Sequence, residues 1–128
     1  MPKTGMRGKQ ILVVEDEWDI AELLIFLLVS EGYWVEHARD GNVALEMLME
    51  RSWDLVLTDL MMPGLDGNEL VQKIRESPHL APLPVMMLSA LPEHIARARC
   101  ESIDSFLQKP FGLEDLLRAV RSLLADRG

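Results

Sequence analysis

Short apolar runs alternate with amphipathic stretches along the whole chain. ILVV at Ile11–Val14 is the first run, and a helical stretch over about residues 19–31 follows and stops at Gly32. Glycine commonly sits just past a helix end, so this boundary is well marked. YWVEHA over residues 33–38 alternates as a half-buried strand does. Asp40 is placed to cap a helix over 42–51, in which Val43, Ala44, Met47 and Leu48 keep helical spacing. DLVLT over 54–58 reads as a third strand, and a helix opens at Gly67 or Asn68 and runs to Glu76 before Pro78. VMML over 85–88, a weaker helix over 93–100, SFLQ over 105–108 and a last helix over 113–125 complete the series.

Strands buried on both faces read as unbroken apolar runs, and strands that alternate with helices build parallel sheets. The expectation is an α/β fold with a doubly wound, five-stranded parallel sheet and right-handed crossovers. Residues 1–8 carry no periodicity and are expected to form a loose tail, with one domain over 9–126. Neither repeats nor a linker suggest a second domain.

The helix over 19–31 is unusual. At 100° per residue, Ile20, Leu23, Leu24, Leu27 and Leu28 make one apolar face. Ile25, Phe26 and Val29 fall on the opposite face beside Glu22, where a surface helix is ordinarily polar. Either a partner docks there, or Phe26 packs against the C-terminal helix.

Chemistry enters at the ends of the runs. Glu15, Asp16 and Glu17 follow the first, Asp59 the third, Ser89 the fourth and Lys109 the fifth. In a parallel sheet these ends share one edge, which is where open α/β sheets bind ligands. Neighbouring strands lie only about 4.8 Å apart, so the groups converge without proximity in sequence. Bare carboxylates at that spacing repel. A hard cation such as Mg²⁺ relieves the repulsion, using one or two carboxylates, waters and a phosphate. Lysine supplies a point charge for a phosphoryl oxygen, and serine a hydroxyl donor. A carboxylate in such surroundings can serve as the nucleophile of an aspartyl phosphate.

Composition narrows the function classes. Of the 128 residues, 48% are apolar and 27% charged, which suits a folded domain with a single core. Net charge is −8, from 21 acids against 13 bases, so direct nucleic-acid binding and attachment to anionic lipid are not expected. Cys100 is the only cysteine, so no internal disulfide forms, as suits a reducing compartment. The longest apolar run, Leu23–Val29, falls far short of the roughly 20 residues of a membrane span. A cytoplasmic domain without membrane attachment is expected. His37, His79 and His94 have no metal-site spacing, and solvated or structural roles are expected. Trp18 directly follows the acidic cluster, either at the mouth of the site or simply packed.

ILVVEDE, DLVLTDLMMPGLDG, PVMMLSA and FLQKPF, in this order and spacing, resemble the receiver domain of bacterial response regulators, over about residues 10–126. The resemblance implies a flavodoxin-like (βα)5 fold with strand order 2-1-3-4-5. It implies that Asp59 is phosphorylated, in a reaction the domain itself promotes without being a turnover enzyme. Asp16, Asp59 and the backbone carbonyl of Met61 are then the Mg²⁺ ligands, and Glu15 acts through a bound water. Ser89 and Lys109 bind the phosphoryl group, and Phe106 occupies the switch position. The Lys109–Pro110 bond is expected to be cis. Partners implied are a sensor histidine kinase or a histidine phosphotransfer protein, whose phosphodonor bundles tend to sit on the first helix. A homodimer or output domain is expected on the 93–125 face.

Two positions depart from the common pattern, with Ser102 and Ile103 where the family often has Gly-Ala. The alternative is a pseudo-receiver, an interaction module independent of phosphorylation, but such modules usually lack an acid or the lysine. A phosphohydrolase using an aspartyl phosphate would typically carry a second acid where this chain has Met61.

Overall fold

A computed structural model describes residues 8–125. The strands are β1 (Gln10–Val14), β2 (Trp34–Ala38), β3 (Leu55–Asp59), β4 (Val85–Ser89) and β5 (Ser105–Gln108). The helices are α1 (Trp18–Ser30), α2 (Gly41–Glu50), α3 (Gly67–Glu76), α4 (Glu93–Arg99) and α5 (Leu113–Ala125). All pairings are parallel and the order is β2-β1-β3-β4-β5, the doubly wound topology expected from the alternation of runs. The expected tail at 1–8 lies, apart from Gly8, outside the described residues, as does Asp126.

The central strands are buried except at Gln10, because successive side chains enter two different cores. Leu12, Val14, Val56, Val85 and Met87 join the core that holds residues of α2, α3 and α4. Ile11, Val13, Leu55, Leu57, Met86 and Leu88 join the core that holds residues of α1 and α5. Helices thus cover both faces of the sheet and leave its C-terminal edge as the open end.

The helix starts are set by local chemistry. Asp40 accepts the Val43 N–H at 2.9 Å, as its position suggested. Asp66 accepts the Glu69 N–H at 2.9 Å while Glu69 reaches back to the Asp66 N–H at 3.1 Å, a reciprocal capping box. Such a cap contributes about 1 kcal/mol. Gly32, at φ 95°, ends α1 in the left-handed region.

The loop carrying Ser102 and Ile103 is firmly tied. Arg75 on α3 donates from Nε and Nη2 to the Ser102 carbonyl, and from Nη1 to the carbonyls of Ala81 and Leu83. It also pairs with Asp104 at 2.9 Å, and Ile103 is buried. A guanidinium can hold this many acceptors because its donors form a fixed planar fork.

α1 buries a narrower face than its apolar pattern suggests, and Phe26 lies on its outer side. Ala21, Leu24 and Leu28 form the buried face. Leu23, expected on it, is 45% exposed because it lies about 100° round from Leu24, at the margin of the stripe. Phe26 does not pack against α5; it is 68% exposed, with Val29 at 51%, while Ile25 is half-buried.

Candidate functional site

The four strand tips meet as expected. Glu15 and Asp16 follow β1, Asp59 is the last residue of β3, Ser89 the last of β4, and Lys109 directly follows β5. Register enforces the meeting, since Asp59 lies beside Leu88 and Ser89 beside Gln108. Carboxylate oxygens of Glu15, Asp16 and Asp59 all lie within 4.8 Å of one another. Lys109 Nζ stands 3.2 Å from both Glu15 Oε1 and Asp59 Oδ2.

The three acids are not equivalent. Glu15 is buried, and its second oxygen accepts the Glu17 N–H at 3.1 Å. Asp59 is buried and Asp16 exposed, at the mouth. Burial is the main reason the Glu15 carboxyl is pushed up to about 7; the Glu17 N–H opposes this, Asp59 reinforces it and Lys109 opposes it again. Burial disfavours the Lys109 ammonium, yet Asp59 and Glu15 outweigh it and hold its pKa above the usual value.

Among the described residues three carboxylates face one ammonium, so two negative charges remain uncompensated when all are ionised. Hard oxygen donors with an excess of negative charge fit a divalent cation such as Mg²⁺. The exposed Asp16 leaves the arrangement open to water.

Ser89 is buried, and its Oγ accepts the Leu91 N–H at 3.1 Å, which leaves the hydroxyl proton free to be donated. Phe106, on β5 beside Met87, packs half-buried against the core on the α4 side. The Lys109–Pro110 bond is cis. Met61 follows β3, with an exposed side chain. An open groove of about 570 Å³ beside the acids is lined by Met61, Pro63, Asp66, Asn68 and Arg99 among others, but by none of the converging charged groups.

Gly67, expected only as a helix start, and His37, expected only in a solvated or structural role, both make contacts at the site. A Cβ on Gly67 would come 2.2 Å from the Asp59 carbonyl oxygen, so only glycine lets α3 begin against the end of β3. The available signal was the D-x-x-E capping box that puts Gly67 in the first helical position. His37 reaches the backbone carbonyl of Glu15, Nε2 to oxygen 2.8 Å. No sequence signal pointed to that bond, because it crosses between strands.

The family model for the response regulator receiver domain matches residues 11–121. The sensor histidine kinase TmoS of Ectopseudomonas mendocina is 39% identical over 127 residues, covering 98% of this chain and 13% of that protein. The chain thus spans a small part of that relative's length. The response regulator TrrA of Thermotoga maritima, solved in complex with Mg(2+)-BeF, superposes with TM-score 0.82 at 34% identity, covering 91% of this chain and 99% of the other. The receiver domain of a Pseudomonas aeruginosa sensor histidine kinase, solved with magnesium coordinated in the active site cleft, gives TM-score 0.85 at 28% identity, covering 91% and 98%. With its order of strands and its acidic edge, the chain belongs to the receiver-domain family of two-component signalling.

Proposed function

We propose that this chain is a phosphoacceptor switch in which Asp59 takes a phosphoryl group from a phosphohistidine on a histidine kinase or phosphotransfer protein. The observation that carries the reading is the shared Lys109 ammonium, 3.2 Å from Asp59 and from Glu15 at an edge with excess negative charge. Asp16, Asp59 and the Met61 carbonyl would hold Mg²⁺, with Glu15 acting through a water. Its fit rests on the clustered carboxylate oxygens. When bound, the cation supplies positive charge against the acids and the incoming phosphoryl oxygens.

A carboxylate oxygen of Asp59 attacks phosphorus, the P–N bond breaks, and the donor imidazole leaves with the bonding electrons. Lys109 stabilises charge on the transferred group, and the Ser89 hydroxyl donates to one of its oxygens. Positioning and electrostatics dominate such transfers, so a small donor such as acetyl phosphate also serves. Both contacts exist only once the group has arrived, so they bias a two-state equilibrium. Ser89 and Phe106 belong to adjacent strands, which links the hydroxyl to the ring at the switch position. The responding face is α4–β5–α5, where an output domain or second copy binds.

The donor protein docks on the apolar outer face of α1, around Phe26 and Val29 with Ile25 at its margin. In support, Phe26 and Val29 are more than half exposed. This function sets the domain in the cytoplasm; among the described residues no helix is long and apolar enough to cross a membrane. The complete set of acids, hydroxyl and lysine favours this reading over a phosphorylation-independent module.

Incubation with acetyl phosphate, with and without Mg²⁺, tests the proposal by intact-mass measurement. One added phosphoryl group that requires Mg²⁺ and is removed by hydroxylamine, as an acyl phosphate is, supports it. No mass gain from either acetyl phosphate or a phosphorylated kinase overturns it.

A further inference from the structure

His37 lies on the edge strand β2, yet its ring reaches the end of β1. Nε2 is 2.8 Å from the Glu15 carbonyl oxygen, and a carbonyl only accepts, so the imidazole N–H donates. The neighbouring Ala38 carbonyl accepts the Glu15 N–H at 3.1 Å. Both main-chain polar groups of Glu15 are therefore tied to β2. The imidazole is itself held, because the Trp18 ring packs against it with centroids 5.6 Å apart and planes tilted by 49°.

The carbonyl that His37 grips belongs to the peptide unit joining Glu15 to Asp16. Rotation of that unit swings the direction in which the Asp16 side chain leaves the backbone. Asp16 is the exposed member of the three acids, with the least packing of its own to aim it. A hydrogen bond that locks the peptide plane therefore fixes the direction of the Asp16 Cα–Cβ bond and narrows where its carboxylate can point.

We propose that His37 is a positioning residue for the acidic site: its N–H fixes the Glu15–Asp16 peptide and so sets the affinity for a divalent cation, with Trp18 holding the ring in place. This rests on the Mg²⁺-dependent reading above. Groups hydrogen-bonded directly to a metal ligand alter affinity by roughly ten- to a hundredfold. His37 acts one covalent step further out, through the peptide that carries Asp16, so an effect at the low end of that range is expected.

The test is Mg²⁺ affinity of the full chain by calorimetry, for the natural sequence, His37→Leu and His37→Gln. The glutamine amide nitrogen takes roughly the place of Nε2 and restores the donor. His37→Met removes the same donor with a more adaptable side chain, should the leucine variant not fold. Urea midpoints without Mg²⁺ are recorded in parallel. The expected result is an affinity about tenfold weaker without the donor and largely restored by glutamine. Glutamine as weak as leucine, or affinity unchanged while only the urea midpoint falls, shows a packing role and overturns the assignment. A natural chain that takes no Mg²⁺ overturns both this assignment and the phosphoacceptor reading, whereas normal binding with His37→Leu unaltered overturns this assignment alone.

Discussion

The Lys109 ammonium stands 3.2 Å from a carboxylate oxygen of Asp59, though the two residues are 50 positions apart in the chain. The same ammonium is equally close to Glu15. One cation thus serves two buried acids, and the third acid, Asp16, adds to the imbalance. Like charges held this close cost stability unless a cation offsets them.

Burial of Glu15, reinforced by the nearby Asp59, makes stability depend on pH in an identifiable way. The folded Glu15 carboxyl titrates at about 7, above its ordinary 4.5, so the folded state holds a proton that the unfolded state has lost. The associated stability is fully present below the ordinary value and is lost as pH rises through about 7. Glu15→Gln removes this dependence. In Mg²⁺-free buffer the urea stability of the natural chain relative to the variant should fall by on the order of 3 kcal/mol between acid and alkaline ends of that window. A difference that does not change with pH contradicts it.

Gly67 is the most sensitive glycine at the site. A methyl there meets the Asp59 carbonyl oxygen at 2.2 Å and the Leu60 Cα at 2.8 Å, both backbone atoms that cannot swing aside. Gly67→Ala should cost about 2–3 kcal/mol in urea unfolding, in the range of an overpacked core. It should also lower the rate of labelling by acetyl phosphate, because relief of the clash displaces Asp59. Unchanged stability sinks this prediction.

Phe26 tests the docking face. The residue is 68% exposed, so Phe26→Glu should leave stability within about 0.5 kcal/mol. The ratio of labelling by a phosphorylated donor protein to labelling by acetyl phosphate should fall at least roughly tenfold, the loss of about 1.4 kcal/mol of binding. An unaltered ratio removes α1 from the docking surface.

Much of the fold was legible because its signals are local. The runs at Ile11–Val14 and Val85–Leu88, the caps at Asp40 and the stop at Pro78 each depend on neighbours in sequence. The converging groups were legible for a different reason: a parallel sheet sends every strand end to one edge, so Asp59 and Lys109 could be brought together without knowing any distance. Contacts between elements were not legible. Gly67 matters through a backbone oxygen of another element, His37 through the main chain of a neighbouring strand, and Arg75 through carbonyls in two loops. Leu23 strayed from its expected face because it sits at the edge of a stripe, where small rotations decide burial.

In the proposed reaction Asp59, the acid at the tip of β3, is the phosphoryl acceptor and needs a divalent cation. Borohydride reduces an acyl phosphate of aspartate to homoserine, so peptide mapping after labelling identifies the residue. Homoserine is expected at position 59 alone, only when Mg²⁺ is present, and none in Asp59→Asn. Homoserine at another acid, or equal labelling of Asp59→Asn, would contradict it.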